Sequence, residues 1–364
     1  MRTTVITTLH ALIAKLSRES RVVAGMNLTA SVQDAVLGSA LLDFASTSED
    51  VKRVAEAINA LTAYARLSLG EAETLMRSLL SDRSFYGTYC ELAAYQWLHR
   101  YSVQFQAQPV MNGPDVLNPN GCTLDGRLTG DVDAYFDIKA MGFQEYIAER
   151  FRQRLEKRLP GLRVTIEGSM DVAVRDIEAH AFGQFDTVVG ALVAGGHQQL
   201  PKLGWLVRAG PPRTVETTVQ TSDPYRLAEQ NRHYPFQDAS QFTRHAPFIL
   251  VFPFAAQFNH RLFVNFAQST DILLRALARR GFLQMANDPT PVQQFDRKIA
   301  AGVLLRDASR LLSSFLFINL DTGQSWIYLN PRATHRLSRD HVERIFDFAP
   351  PPRLTIDDFA HDDY

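Results

Sequence analysis

The sequence predicts an α/β protein with a helical N-terminal region and a C-terminal α+β extension. Three observations carry this. Apolar residues recur every three or four positions through the first 80 residues. β-forming alternation then occupies 102–110, 122–128 and 132–140, with turn residues between. A charged helical stretch at 142–159 follows, and FILVFPF at 248–254 reads as a buried strand. The expected organisation is a helical region over 1–80, a core over 81–260 and a C-terminal α+β region with an acidic tail over 261–364.

The helical region is marked by Val54, Ile58, Leu61, Ala65 and Leu69, and again by Leu75, Leu79 and Leu80. Ser46–Thr47–Ser48 before Glu49 and Asp50 reads as a helix start, and Gly70 as a break. A helix over 84–100 sets Phe85, Tyr89, Leu92, Ala93 and Trp97 on one apolar face, with Glu91 in its middle. Turn chemistry at 111–121 separates the first strand from the second, and Thr129–Gly130–Asp131 joins the second and third as a hairpin. Further strands are expected at 162–166, 203–209 and 214–220. The run 185–194 fits helix or strand. Helices are expected at 225–232, 270–280 and 292–315, and Asp321–Thr322–Gly323, between strands at 315–320 and 325–329, marks the clearest hairpin. The Phe-rich stretch around 236–258 is read as core rather than as a base-stacking surface.

Composition excludes several classes. With 46% hydrophobic and 21% charged residues in 364, the chain can build a sizeable core. Two cysteines and no CxxC rule out a four-thiolate zinc site. No GxxxxGK[ST] or GxSxG is present, so nucleotide hydrolysis and serine-hydrolase chemistry have no starting point. The N-terminus has no signal-peptide pattern and no stretch is long and apolar enough to span a bilayer, so a cytoplasmic protein without membrane contact is expected. Net charge is −1, but arginines concentrate locally.

The feature that carries chemistry is Asp137–Ile138–Lys139. Chance predicts about 0.6 acid-x-Lys matches in this composition. The chain has three, Asp50–Lys52, Asp137–Lys139 and Asp296–Lys298, and the first and last fall in segments read as helical. Only Asp137 and Lys139 lie in a strand, where i and i+2 share a face. A carboxylate and an ammonium on an apolar strand call for a further partner, and a divalent cation supplies one. Asp137 would hold Mg²⁺ or Mn²⁺, and Lys139 would orient or deprotonate a water or meet charge on a phosphate. Asp125, on the strand beside it, is the preferred second ligand. Asp133 shares the face of Asp137 but lies about 13 Å away at roughly 3.3 Å per residue. Asp131 and Asp115 lie in turns and, with Asp133, are the residues that could replace Asp125 as a ligand. Glu91 would complete the shell.

This order of helix with Glu91, strand, Asp125, then Asp137–Ile138–Lys139 and a further helix resembles the PD-(D/E)xK nuclease superfamily, over about residues 84–163. The resemblance implies a restriction-endonuclease-like core, a mixed central sheet flanked by helices. It implies Mg²⁺- or Mn²⁺-dependent cleavage of phosphodiester bonds, with DNA the expected substrate and restriction or anti-phage defence a fitting role. By it, Glu91, Asp125 and Asp137 would be metal ligands and Lys139 the catalytic lysine. No proline precedes Asp125; the one Pro-Asp is Pro114–Asp115. Gln230 and Tyr234 fit the QxxxY of exonuclease-type branches, with Pro235 ending the helix. Arg150, Arg152, Arg154 and Arg158 are expected to contact the nucleic-acid backbone.

A second possibility is a catalytically silent nucleic-acid-binding or assembly module, with Asp137–Lys139 a structural pair. The N-terminal helices would then be a docking surface for a second copy or a partner protein. A third reading is an effector subunit whose nuclease waits for a partner.

Overall fold

A computed structural model describes residues 2–28, 48–81, 84–141, 143–168, 172, 174–211, 224–255, 270–346 and 354–360. The strand expected at 214–220, the helix start at Ser46–Thr47, and Phe258 lie outside the described residues. The chain divides into two compact units, one of 1–140, 224–254 and 268–364, the other of 141–223 and 255–267. These differ from boundaries at 80 and 260, because the sheet that begins in the core continues through the C-terminal strands.

The described strands are β1 (Phe105–Ala107), β2 (Val110–Met111), β3 (Cys122–Thr123), β4 (Gly126–Thr129), β5 (Asp133–Ile138), β6 (Arg163–Glu167), β7 (His197–Leu200), β8 (Trp205–Gly210), β9 (Phe248–Phe254), β10 (Ser314–Asn319), β11 (Ser325–Leu329) and β12 (Leu354–Asp357). In the first unit a mixed seven-stranded sheet runs β1-β4-β5-β9-β10-β11-β12. β1, β4 and β5 form an antiparallel meander, and β5, β9 and β10 are parallel. β9 is buried along its whole length, as a strand covered on both faces must be. The hairpin at 321–323 joins β10 and β11, with Gly323 at φ +70°.

Helix Phe85–Arg100 packs on β5 and β9 and against helix Ser48–Ala63. The sequence suggests one apolar face for it, but Tyr86, Cys90, Ala94 and Leu98 are buried as well, so it is covered nearly all round. A charged network ties these layers together. Asp50 is 4% exposed. Its Oδ1 accepts from Arg53 at 2.7 Å and from the Tyr89 hydroxyl at 2.5 Å, while Arg53 also donates to the Leu320 carbonyl at 2.9 Å. Asp50→Asn keeps the shape and removes the charge. It is expected to lower stability by about 1–3 kcal/mol in urea unfolding; an unchanged midpoint would show the network is not holding these helices.

Three expectations are corrected. The break before helix Leu69–Leu79 falls at 64–68, not at Gly70, because Ser68 and Glu71 form a capping box that starts the helix. The segment 122–128 is two short strands, for a reason that lies in the site. The segment 292–315 is a short 3-10 turn, a loop through Gly302 at φ +94°, helix Leu305–Leu311 and then β10. Its apolar residues match helical spacing, but the stretch before Leu305 pairs back on itself, Val292 N–H with the Val303 carbonyl and Leu305 N–H with the Thr290 carbonyl; the strand expected at 315–320 is present as β10. Asp296–Lys298 therefore sits in a loop rather than a helix.

The second unit holds the antiparallel sheet β6-β8-β7 with helices Phe143–Arg158, Val174–Ile177 and Phe185–Gly195. Phe151, Leu155, Val188, Trp205 and Val207 form its core. The ambiguous run 185–194 is helical, closed by Gly196 in the left-handed region. Among the described residues no helix is long and apolar enough to cross a membrane.

Candidate active site

The site lies in the first unit, where β4, β5 and helix Phe85–Arg100 meet. Glu91 and Tyr95 are one helical turn apart, and the Tyr95 hydroxyl is 3.1 Å from Glu91 Oε1. It also lies 2.6 Å from the Asp125 carbonyl. Tyr95 is fixed by rings: it stacks on Phe105 at 5.6 Å, and Phe136 meets it edge-on at 6.5 Å. Phe136 needs Gly126 opposite it, since a Cβ there would fall 2.0 Å from the ring. The chain turns at Gln108, whose φ is +50°. Its backbone N–H donates to the same Asp125 carbonyl at 3.1 Å, and its side chain reaches Glu91 at 3.5 Å.

These contacts explain why 122–128 is interrupted. The Asp125 carbonyl is taken by Tyr95 and Gln108, and its Oδ2 accepts from the Ile138 N–H at 2.6 Å. Asp125 thus leaves the ladder and pins β5 with its side chain. Continuing the β4–β5 register one residue beyond β4 sets Asp125 opposite Asp137.

Asp137 is 1% exposed, and its Oδ2 is 2.5 Å from the Lys139 ammonium. Its Oδ1 is buried without a hydrogen-bond partner. The ammonium also donates to Gln241 Oε1 at 2.7 Å and pairs with Asp238 at 3.3 Å.

The electrostatics follow from crowding. Glu91 keeps part of its surface open, yet desolvation, with Asp137 adding to it, pushes its pKa up to about 7. Asp125 is raised well above the carboxylate range by desolvation, then by Asp137 and Glu91. Burial pulls Lys139 down, but Asp137, Asp238 and Asp125 outweigh it and hold the ammonium above its usual range. Glu91, Asp125, Asp137 and Asp238 surround one ammonium, so full ionisation leaves three negative charges uncompensated. Protons offset part of this; a divalent cation would offset two of them. The donor set fits such an ion as two carboxylates, Asp125 and Asp137, with Glu91 nearby. Among the described residues no group of three or more His, Cys, Asp or Glu is placed to hold a metal ion by itself.

The structure thus brings together Glu91, Asp125, Asp137 and Lys139. Asp133 is exposed and paired with Arg127 at 2.7 Å, Asp131 is exposed in the hairpin turn, and Asp115 sits in the 3-10 turn Gly113–Asp115. Tyr234 lies at the end of β5, its hydroxyl donating to the Ala140 carbonyl. Helix Pro224–Gln230 ends before it, and the Gln230 side chain is outside the described residues. Cys90 is a buried thiol, pushed up to about 12 by desolvation. The four arginines belong to the second unit. Arg152 is engaged by Glu149 and Glu156, Arg154 lies 4.6 Å over the Phe185 ring, and Arg158 is 3.8 Å from Asp186.

Sequence reasoning misses Tyr95, Gln108, Asp238 and Gln241. Tyr95 carries a signal, four residues after Glu91 on one helix face. Asp238 and Gln241 carry none, reaching Lys139 only through the order β5-β9. Comparison of the chain with protein-family models, with curated proteins and with solved structures finds no match.

Proposed function

We propose that this protein is a metal-dependent nuclease that hydrolyses phosphodiester bonds, with DNA the expected substrate. The observation that carries it is Asp137: a buried carboxylate whose Oδ1 has no hydrogen-bond donor, opposite Asp125 and paired with Lys139. A fold that buries several acids beside one ammonium needs a further counterpart for them. The connectivity agrees with a PD-(D/E)xK core. A helix leads into an antiparallel meander, and a later strand joins it in parallel. That strand is β9, and the second unit intervenes before it; β6 lies in another sheet.

Asp125 and Asp137 would hold Mg²⁺ or Mn²⁺, which supplies a water of lowered pKa and positive charge at the phosphate. Lys139 stays an ammonium, so its task is to meet charge on the phosphate rather than to take a proton. Glu91, pushed up to about 7, suits the base that receives the water's proton. The water oxygen bonds to phosphorus, the P–O bond to the leaving oxygen breaks, and that oxygen takes a proton from solvent.

A second reading rests on the direct Asp137–Lys139 contact of 2.5 Å and the lack of a three-residue metal group among the described residues. It makes the protein a silent nucleic-acid-binding or assembly module. Cleavage of plasmid and single-stranded DNA with Mg²⁺ or Mn²⁺ separates the two. Wild type should cut, and Asp137→Ala and Lys139→Ala should not. Wild type that neither cuts nor binds Mn²⁺ in calorimetry favours the second reading.

A further inference from the structure

The Lys139 ammonium is held from two sides. Asp137 is one; Gln241 Oε1 at 2.7 Å and Asp238 Oδ2 at 3.3 Å are the other. The second side is built to stay in place. Gln241 ends the 3-10 turn Ala239–Gln241, whose Ser240 is buried. The Ser240 N–H donates to Asp296 Oδ2 at 2.8 Å, and its carbonyl accepts from Asn118 at 2.8 Å. Asp296 is itself 4% exposed, and its other oxygen accepts from the Lys298 N–H at 3.0 Å. Phe236, Ala239 and Phe242 anchor the turn in the core. A buried aspartate is therefore committed to the backbone of this turn, and the turn needs nothing from Lys139 for its shape.

We propose that the turn 238–241 is a cradle that keeps the Lys139 ammonium when a divalent cation takes its place beside Asp137, making Asp238 and Gln241 positioning residues for Lys139. This rests on the metal-site reading above. Two cations in contact with one carboxylate repel each other strongly in a buried site. An ammonium with no other acceptor would stay on Asp137 and compete with the metal. One with a preformed carboxamide and carboxylate behind it can give up Asp137 at small cost. The cradle thus shifts the balance between lysine-bound and metal-bound Asp137, and its effect should pass through Lys139 alone.

Calorimetry of Mn²⁺ binding to the full chain tests this. Gln241→Leu should weaken Mn²⁺ binding by about tenfold, as loss of a hydrogen bond to a charged group implies. Asp238→Asn should act in the same direction. Gln241→Glu, which keeps an acceptor oxygen, should bind at least as tightly as wild type. Lys139→Met should bind more tightly than wild type, because the competing cation is gone. In the Lys139→Met background, Gln241→Leu should change nothing. The proposal is overturned if Gln241→Leu binds Mn²⁺ like wild type. It is also overturned if the loss persists in the Lys139→Met background, as simple disordering of the turn would produce. Absence of Mn²⁺ binding in both wild type and Lys139→Met would overturn the metal-site reading itself, and the cradle with it.

Discussion

Asp125→Asn is expected to abolish cleavage while making the metal-free protein more stable. The loss should be at least about 10²–10³-fold in kcat, the usual scale for removing a preorganised charge from a reaction site. The stability gain has a separate cause. Asp125 is raised well above the carboxylate range, first by desolvation and then by Asp137 and Glu91, so its ionised form is a burden on the fold. Asparagine keeps an oxygen for the Ile138 N–H, now received by Oδ2 at 2.6 Å. Its amide can donate to Asp137 Oδ1, which has no donor. A gain of about 1–3 kcal/mol should follow from satisfying that group. Thermal melts and a cleavage assay on the same preparation decide it. A variant that is inactive and less stable would mean that Asp125 serves only to pin β5 through the Ile138 N–H. A gain in stability with loss of activity is the pattern of a site held against the preference of the fold.

What can be read from the sequence is local. Asp137 in β5 with Lys139 just past its end, the hairpin through 130–131 and Asp125 beside Asp137 all follow from alternation and turn chemistry over about 15 residues. Glu91 can be placed on a helix, but not against the strands, because amphipathicity says which face is buried and not by what. The parts that escape are joined by long-range pairing. β9 lies beside β5 though the second unit separates them in sequence, and it is the chain leading into β9 that brings Tyr234, Asp238 and Gln241 to Lys139. The helix expected over 292–315 holds only over Leu305–Leu311, for a related reason. Before it the chain closes on itself, the Val292 N–H donating to the Val303 carbonyl and the Leu305 N–H to the Thr290 carbonyl, a pairing no local period reports, whereas the strand expected at 315–320 is present as β10. Asp296 reads as one more acid-x-Lys match. Its task, holding the Ser240 N–H, is invisible without the neighbour 56 residues away.

Without metal, the protein should lose stability as pH rises from about 4.5 to about 7, and Glu91 should account for much of the loss. Its pKa is pushed up from 4.5 to about 7, mainly by desolvation. In that window the unfolded chain has released the proton and the folded one still holds it. Deprotonation therefore favours the unfolded state, and stability falls as pH rises through the folded pKa. A shift of this size corresponds to on the order of 3 kcal/mol. Asp125 is displaced in the same direction and adds to the slope. The lowered carboxylates Glu71, Asp133, Glu229 and Asp288 act with opposite sign, but they titrate at or below the foot of this window. His233 is lowered by desolvation and also acts with opposite sign, gaining stability as pH rises towards its unfolded value. Comparison with Glu91→Gln isolates the Glu91 contribution, since glutamine can still accept from Tyr95 and Gln108 while binding no proton. Urea midpoints at pH 5 and pH 8 should differ clearly in wild type and much less in Glu91→Gln. Saturating Mn²⁺ should restore wild type at pH 8, because a cation that binds the ionised acids only in the folded chain stabilises it by mass action. Equal pH slopes in wild type and Glu91→Gln would show that Glu91 ionises like an exposed carboxylate and cannot be the base. The expected difference in slope without any Mn²⁺ effect would leave Glu91 buried as described, but would remove the divalent cation from the site.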